Sequence, residues 1–446
     1  MNLLEKIGWY YRTYGVRALI VRGVQTVMGV KPDYQGRPEL RFTNRAKATS
    51  GAPVLERGAS TPIAAVVDAR FPAIMPLPVF STLGPVRRLN LVTDSISAGS
   101  LFGGVGTAII LAALLAKQRG AVLRVVTRSQ EPDQSGFRDV LACNGIPFDG
   151  NVEFEHVPAN GKDRLDICDG DTFLTTSWWT TQCVLGSIAP HRVEYLIQED
   201  ERMFYPLGDD WLRCNEVMER RDLRFIVNTE LLKQHFLATG LEHFQENSIA
   251  FEPAFPESMF HSDADGGPER AHVDGPRRRK LFFYARPNNL RNTFYRGIEA
   301  LDRAVLDGVL DTDAWEVVFV GKDVPAVRFS TGAEPTQLQT MNWSQYGAFI
   351  RSVDLGFCLM MTPHPSYPPL DLVASGATVV TNRFGLKQDL ARYSDSILMA
   401  DLTIEGLVEG LRRGIERVES GAVQAPDARI QRSWLAAFQP VLDRLG

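Results

Sequence analysis

Two successive doubly wound, Rossmann-like α/β domains joined by a polar linker are what this sequence predicts, and three observations predict them. Its 446 residues are too many for one ordinary core. From Arg88 onward, short β-branched runs alternate with helical patterns. The alternation stops between Pro256 and Lys280, where apolar residues almost vanish, and then begins again.

Residues 1–84 read as an N-terminal helical extension and linker. Leu3, Leu4, Ile7, Tyr10 and Tyr11 recur near helical spacing, as do Leu19, Ile20 and Val24. Arg12, Arg17 and Arg22 interrupt every apolar run, which argues against a signal peptide. The segment is net positive in a chain of formal charge −5. Two readings stay open for it: a helix pair packed on the first domain, or a peripheral membrane contact through residues 1–30. From about Lys31 to Thr61 the chain is polar and punctuated by Pro, Gly and Ser, as an extended linker is.

The first domain is expected over 85–255. "RLNLVTD" is a strand ending at Asp94; "SAGSLFGGVG" is a glycine-bearing turn; "TAIILAALLAKQRG" is an amphipathic helix closed by Gly120; "VLRVVTR" is the next strand. Further strands are expected from Thr172 to Trp179, Val193 to Gln198 and Arg224 to Thr229, the last followed by a helix that stops at Gly240. Residues 256–279 form the linker. The second domain, 280–428, opens with the strand "KLFFYARP" and the helix "NTFYRGIEALDRAVLDG". It continues with the strands "WEVVFVG" and "DLGFCLM", the short helix "PPLDLVASGA", the strand "TVVTN" and a helix near Ile404 to Glu419. A closing helix falls within 429–446.

Bulk properties narrow the function. A pI near 5.9 argues against a nucleic-acid partner, which demands a basic face. The five cysteines, Cys143, Cys168, Cys183, Cys214 and Cys358, are scattered and never form a CxxC pair. They suit reduced thiols in the cytoplasm better than a disulfide framework or a zinc site. No apolar stretch reaches the length of a membrane span. Histidines and carboxylates do not gather at metal-ligand spacing, so neither a metal nor a cofactor is expected.

In open parallel sheets ligands bind beyond the carboxyl ends of the strands, which selects particular residues. Gly103, Gly104 and Gly106 let backbone approach a ligand and open a helix whose start favours anions. They do not complete a dinucleotide fingerprint. Ile109 stands where the third glycine belongs, and the second strand ends Thr127-Arg128-Ser129 without an acid. In "SYPPLDLVASGATVVTN", Pro368 and Pro369 suit a helix entry, and N–H groups around Ser366, Tyr367, Leu370 and Asp371 are expected to face a cleft and bind a diphosphate. The Asp371 carboxylate suits sugar or ribose hydroxyls. Arg286 and Arg291 flank a Pro-Asn-Asn turn, where guanidinium forks would stabilise the charge on a departing nucleoside diphosphate. His364 is placed to touch phosphate or sugar. Gln198, Glu199 and Asp200 follow a strand, and their side chains suit acceptor hydroxyls; Trp178 and Trp179 suit stacking on a sugar ring. The plainer alternatives are solvent-facing charges, a helix-start carboxylate and core aromatics.

Together these stretches resemble glycosyltransferase family 4, and within it the WsaF-type rhamnosyltransferases of surface-glycan assembly. The likeness rests on "FGGVGTAIILAALLAKQRGAVLRVVTR", "FYARPNNLRNTFYRGIEAL" and "PPLDLVASGATVVTN", supported by "YLIQEDERMFYP" and "RFIVNTELLKQHF". It implies a GT-B fold, with an acceptor-binding first domain facing a donor-binding second one across a cleft. It further implies metal-independent hexosyl transfer with retention, and dTDP-rhamnose as a donor. On this resemblance Arg286 and Arg291 bind the donor diphosphate, Asp371 holds the ribose, and Gly103 and Gly104 lie near the phosphates or the transferred sugar. The acceptor is a glycan or lipid-linked glycan, and the protein works in the cytoplasm, at most peripherally at the inner face of the membrane. One departure stands out: the family signature carries two glutamates with seven residues between them, whereas here the first position is Pro363 and the second Asp371. That departure keeps a rival in play, a non-catalytic nucleotide- or glycan-binding protein of the same fold.

Overall fold

The computed structural model describes residues 61–97, 101–161, 163–262, 278–339, 341–421 and 429–446. Residues 1–60, with their helix-pair and membrane-contact readings, lie outside the described residues.

Before the linker the chain contributes β1 (Val79–Ser81), β2 (Arg88–Thr93), β3 (Val122–Thr127), β4 (Val152–His156), β5 (Leu165–Ile167), β6 (Thr172–Thr175), β7 (Val193–Ile197), β8 (Arg224–Asn228) and β9 (Ser248–Phe251). Among the described residues β1 pairs only with β5. The other seven form one parallel sheet in the order β4-β3-β2-β6-β7-β8-β9. After the linker come β10 (Arg279–Tyr284), β11 (Trp315–Val320), β12 (Thr336–Leu338), β13 (Leu355–Cys358), β14 (Thr378–Asn382) and β15 (Ile397–Ala400). These make a second parallel sheet, β12-β11-β10-β13-β14-β15. Helices cover both faces, so the central strands are buried on both sides: Leu89 to Thr93 and Thr378 to Asn382 are all buried. In each sheet the strand order reverses beside the first strand, at β2–β6 and at β10–β13, and the rule for open sheets puts the ligand crevice there.

Several elements differ from the expectation. The run Thr172 to Trp179 is not one strand; β6 stops at Thr175 and a helix, Trp178–Leu185, starts in its place. Ser177 causes the break, its hydroxyl accepting from the Thr180 N–H in a capping box. The helix Gly106–Arg119 is not amphipathic but apolar nearly all round, with ten of its 14 residues buried. The reason is the closing helix, Trp434–Leu445. It returns from the far end of the chain to pack on the first domain, with Trp434, Phe438 and Val441 in the same core as Leu89 and Ile109. Arg119 and Gln118 donate to the carbonyls of Leu445 and Leu442, tying that helix end down. The start of the linker is also packed, Phe255, Met259 and Phe260 being buried with the second core.

Candidate functional site

The carboxyl edges of the two sheets face each other, because their exits bond across the gap. A π-helical turn, Leu101–Val105, precedes the helix Gly106–Arg119. Gly103 holds φ at +74°, which an L side chain resists, and a Cβ there would lie 3.7 Å from the Tyr367 ring of the other domain. At Gly104 a Cβ would come within 3.0 Å of the Gln198 amide, which donates to the Gly104 carbonyl at 2.7 Å. The Tyr367 hydroxyl is the shared node. It lies 2.6 Å from the Thr107 hydroxyl and accepts from Asn228, at the end of β8, at 2.7 Å.

From the second domain, the turn after β10 brings Arg286 and Arg291. Arg286 is exposed to solvent, and Nη1 donates to the Tyr284 hydroxyl at 3.0 Å. Arg291 is largely enclosed. Its guanidinium lies 4.3 Å above the Phe204 ring of the first domain. Nη1 stands 3.2 Å from Glu199 Oε2, out of line for a hydrogen bond. Thr362, beyond β13, donates a short hydrogen bond to the same Glu199 oxygen. Glu199 therefore crosses from one domain to the other.

His364 is 2% exposed, and its Nδ1 accepts the Ser366 N–H at 2.9 Å. That bond leaves the proton on Nε2, which has no partner among the described residues. Burial, reinforced by Lys387 and Arg291 and opposed by Glu199, pulls the imidazole down to about 4, so it is neutral at pH 7. Ser366 has φ +69° and a buried hydroxyl without a partner among the described residues. Asp371, on the helix Tyr367–Ala374, is buried and accepts from the Tyr346 hydroxyl at 2.8 Å. Burial pushes its carboxyl up to about 7 in spite of that bond.

The expected residues thus fall into two groups. Gly103, Gly104, Gln198, Glu199, Arg291, His364, Ser366 and Tyr367 come together where the domains meet, with Arg286 and Asp371 on the β10 and β13 side of the crevice. The side chains of Trp178, Asp200 and Leu370 do not join them, although Leu370 is expected to contribute only its backbone N–H. Trp178 is 3% exposed and gives its indole N–H to Tyr205, inside the first core. Asp200 accepts from Arg202 and His235 within its own domain; although burial opposes ionisation, these bonds hold it at about 2. Leu370 is wholly buried in the second core. At the helix start Pro368 and Pro369 have no N–H, and the Ser366 N–H is given to His364. What sequence reasoning missed are polar residues without a motif: Thr107, Thr362, Tyr346 and Lys387. Only their places relative to strand ends hint at them. Among the described residues no group of three His, Cys, Asp or Glu is disposed to hold a metal ion, and no helix is long and apolar enough to cross a membrane.

Comparison with known proteins covers both domains. Residues 88–228 match the family described as WsaF, N-terminal domain, and residues 279–412 match WsaF, C-terminal domain. The O-antigen biosynthesis protein RfbC of Myxococcus xanthus is 31% identical over 355 residues, which is 78% of this chain and 26% of that protein. The chain thus spans about a quarter of the length of that curated relative. Among solved structures, HepE of Anabaena in complex with UDP and glucose is similar with a TM-score of 0.56 at 13% identity, covering 80% of this chain and 98% of that one. Sucrose-phosphate synthase from Thermosynechococcus elongatus gives 0.52 at 11%, covering 81% and 97%. These likenesses carry the fold, which is GT-B.

Proposed function

The chain belongs to the WsaF family, and from that premise we propose that it is a glycosyltransferase moving a sugar from a nucleoside-diphosphate donor to a glycan acceptor in surface-polysaccharide synthesis. The observation that carries this reading is the meeting of Arg291, Thr362 and Tyr367 with Glu199, Thr107 and Asn228 at the facing carboxyl edges of the two sheets. Donor diphosphate takes the Arg286–Arg291 side, and the idle Nε2–H of His364 offers it, or its sugar, a neutral hydrogen bond. Asp371 accepts from ribose hydroxyls. As the glycosidic bond breaks, charge grows on the leaving diphosphate, and guanidinium groups already in position stabilise it without reorganising. The reaction retains configuration and needs no metal, since the leaving phosphate itself takes the acceptor's proton and the protein supplies position and electrostatics. The donor is dTDP-rhamnose, and the acceptor, a glycan or lipid-linked glycan, lies against the first domain. HepE, with UDP and glucose bound, offers an analogy for a nucleotide-sugar donor in this fold.

A thermal-shift screen of nucleotide sugars on the purified protein, followed by donor turnover with and without acceptor, tests the reading. Arg291→Ala is expected to weaken nucleoside-diphosphate affinity about 10- to 100-fold and to slow transfer; unchanged kinetics would remove Arg291 from the donor site. Nucleotide binding with no turnover on any acceptor would favour the non-catalytic reading, to which Pro363 in place of the family's first glutamate already points.

A further inference from the structure

Lys387 is a cation of the cleft that the donor reading leaves unused. It lies in the loop after β14 and is wholly buried. Its Nζ donates one hydrogen bond, 3.1 Å long, to the Met360 carbonyl. That carbonyl already accepts from Asn382 at 3.1 Å, so it does not depend on the lysine. An ammonium has three N–H donors, and among the described residues no carboxylate lies within ion-pair distance of this one. A buried ammonium without a counter-ion is costly, and a bound anion offsets that cost.

The backbone beside Lys387 brings further donors to the same place. Three consecutive residues hold the group together: Met360 takes Lys387 on its carbonyl, the Met361 N–H bonds the Arg291 carbonyl at 2.7 Å, and the Thr362 hydroxyl bonds Glu199. His364, two residues on, adds its unpartnered Nε2–H. Two cations and a free donor thus gather around residues 360–364, where the Glu199 carboxylate reaches in from the other domain. Resting on the donor-site reading, we infer that Lys387 is a third diphosphate-binding cation, and that the Glu199 carboxylate competes with a nucleotide phosphate for the same place. The burial that pulls the Lys387 ammonium down to about 8, against the pull of Glu199, fits a charge awaiting an anion.

Isothermal titration of the full chain with UDP and dTDP, and with uridine and thymidine as controls, tests this. Lys387→Met is expected to bind both diphosphates about 10- to 100-fold more weakly and both nucleosides within about twofold of the wild type. Its melting temperature without ligand is expected to equal or exceed the wild-type value, since an apolar side chain replaces an unpaired buried charge. Glu199→Gln is expected to bind UDP and dTDP about 3- to 10-fold more tightly, because a competing carboxylate has gone. A Lys387→Met protein that fails to fold, or that loses diphosphate and nucleoside affinity together, would make the lysine structural and overturn the assignment. Weaker diphosphate binding by Glu199→Gln overturns the competition. A wild type that binds neither diphosphate takes the donor site down as well, whereas normal wild-type binding with an unaffected Lys387→Met sinks only this inference.

Discussion

Glu201 shows how a single side chain in this protein couples folding to pH. It is 4% exposed, and its Oε2 accepts the Trp178 N–H at 2.8 Å. Burial, only partly offset by that bond, pushes the carboxyl up to about 8. In the unfolded chain the same group releases its proton at roughly 4.3. Between those values the folded state binds more protons than the unfolded one, so stability falls as pH rises and the penalty is complete above about 8. Glu201→Gln is therefore expected to gain stability over the wild type on going from pH 5 to pH 9, by on the order of a few kcal/mol. Urea midpoints at both values check this, and a difference independent of pH would contradict it. The same scale shows what the sequence leaves open. The strand-end rule selects Arg291, His364 and Asp371 from the order of residues alone. It cannot decide between Glu199 and Asp200, which are neighbours. One reaches the other domain and the other turns back to Arg202, because the 3₁₀ turn Glu201–Phe204 uses Asp200 as its cap.

At the scale of the element, the start of the helix Tyr367–Ala374 stores strain. Ser366 sits at φ +69°, ψ 152°, a region glycine favours, and two prolines follow it. Holding a non-glycine residue there costs about 1–3 kcal/mol, and its buried hydroxyl is unpartnered among the described residues. Ser366→Gly is expected to raise the stability of the unliganded protein by about 1 kcal/mol, net of the entropy glycine adds to the unfolded chain. Chemical denaturation measures it, and a loss of stability would mean that the hydroxyl holds the turn. Pro-Pro announces this helix entry in the sequence. The left-handed residue before it is invisible there, since the bond from the Ser366 N–H to His364 Nδ1 imposes it. The helix Trp178–Leu185 fails in the same way: local β-propensity continues through Trp178 and Trp179, and one serine cap overrides it.

At the scale of the whole molecule, the helix Trp434–Leu445, which follows the second domain in sequence, completes the first. Trp434, Phe438, Val441, Leu442 and Leu445 are buried in the first core, and burying five such side chains contributes on the order of 10 kcal/mol. That is comparable to the total stability of a domain. Deleting residues 434–446 is expected to leave a protein that is insoluble or unfolded by circular dichroism; a soluble product with the wild-type melting temperature would show the helix to be dispensable. The sequence by itself determined the α/β class, the repetition of that class in two halves and the strand ends near which chemistry gathers, because each is written in local periodicity and in the order of elements. Only the tertiary structure decided that the closing helix belongs to the first domain, and that Glu199 spans the cleft and Asp200 does not. These are contacts between residues 92 to 326 positions apart, and no local pattern encodes them; they appear when two sheets with the same handed crossovers turn their carboxyl edges towards each other.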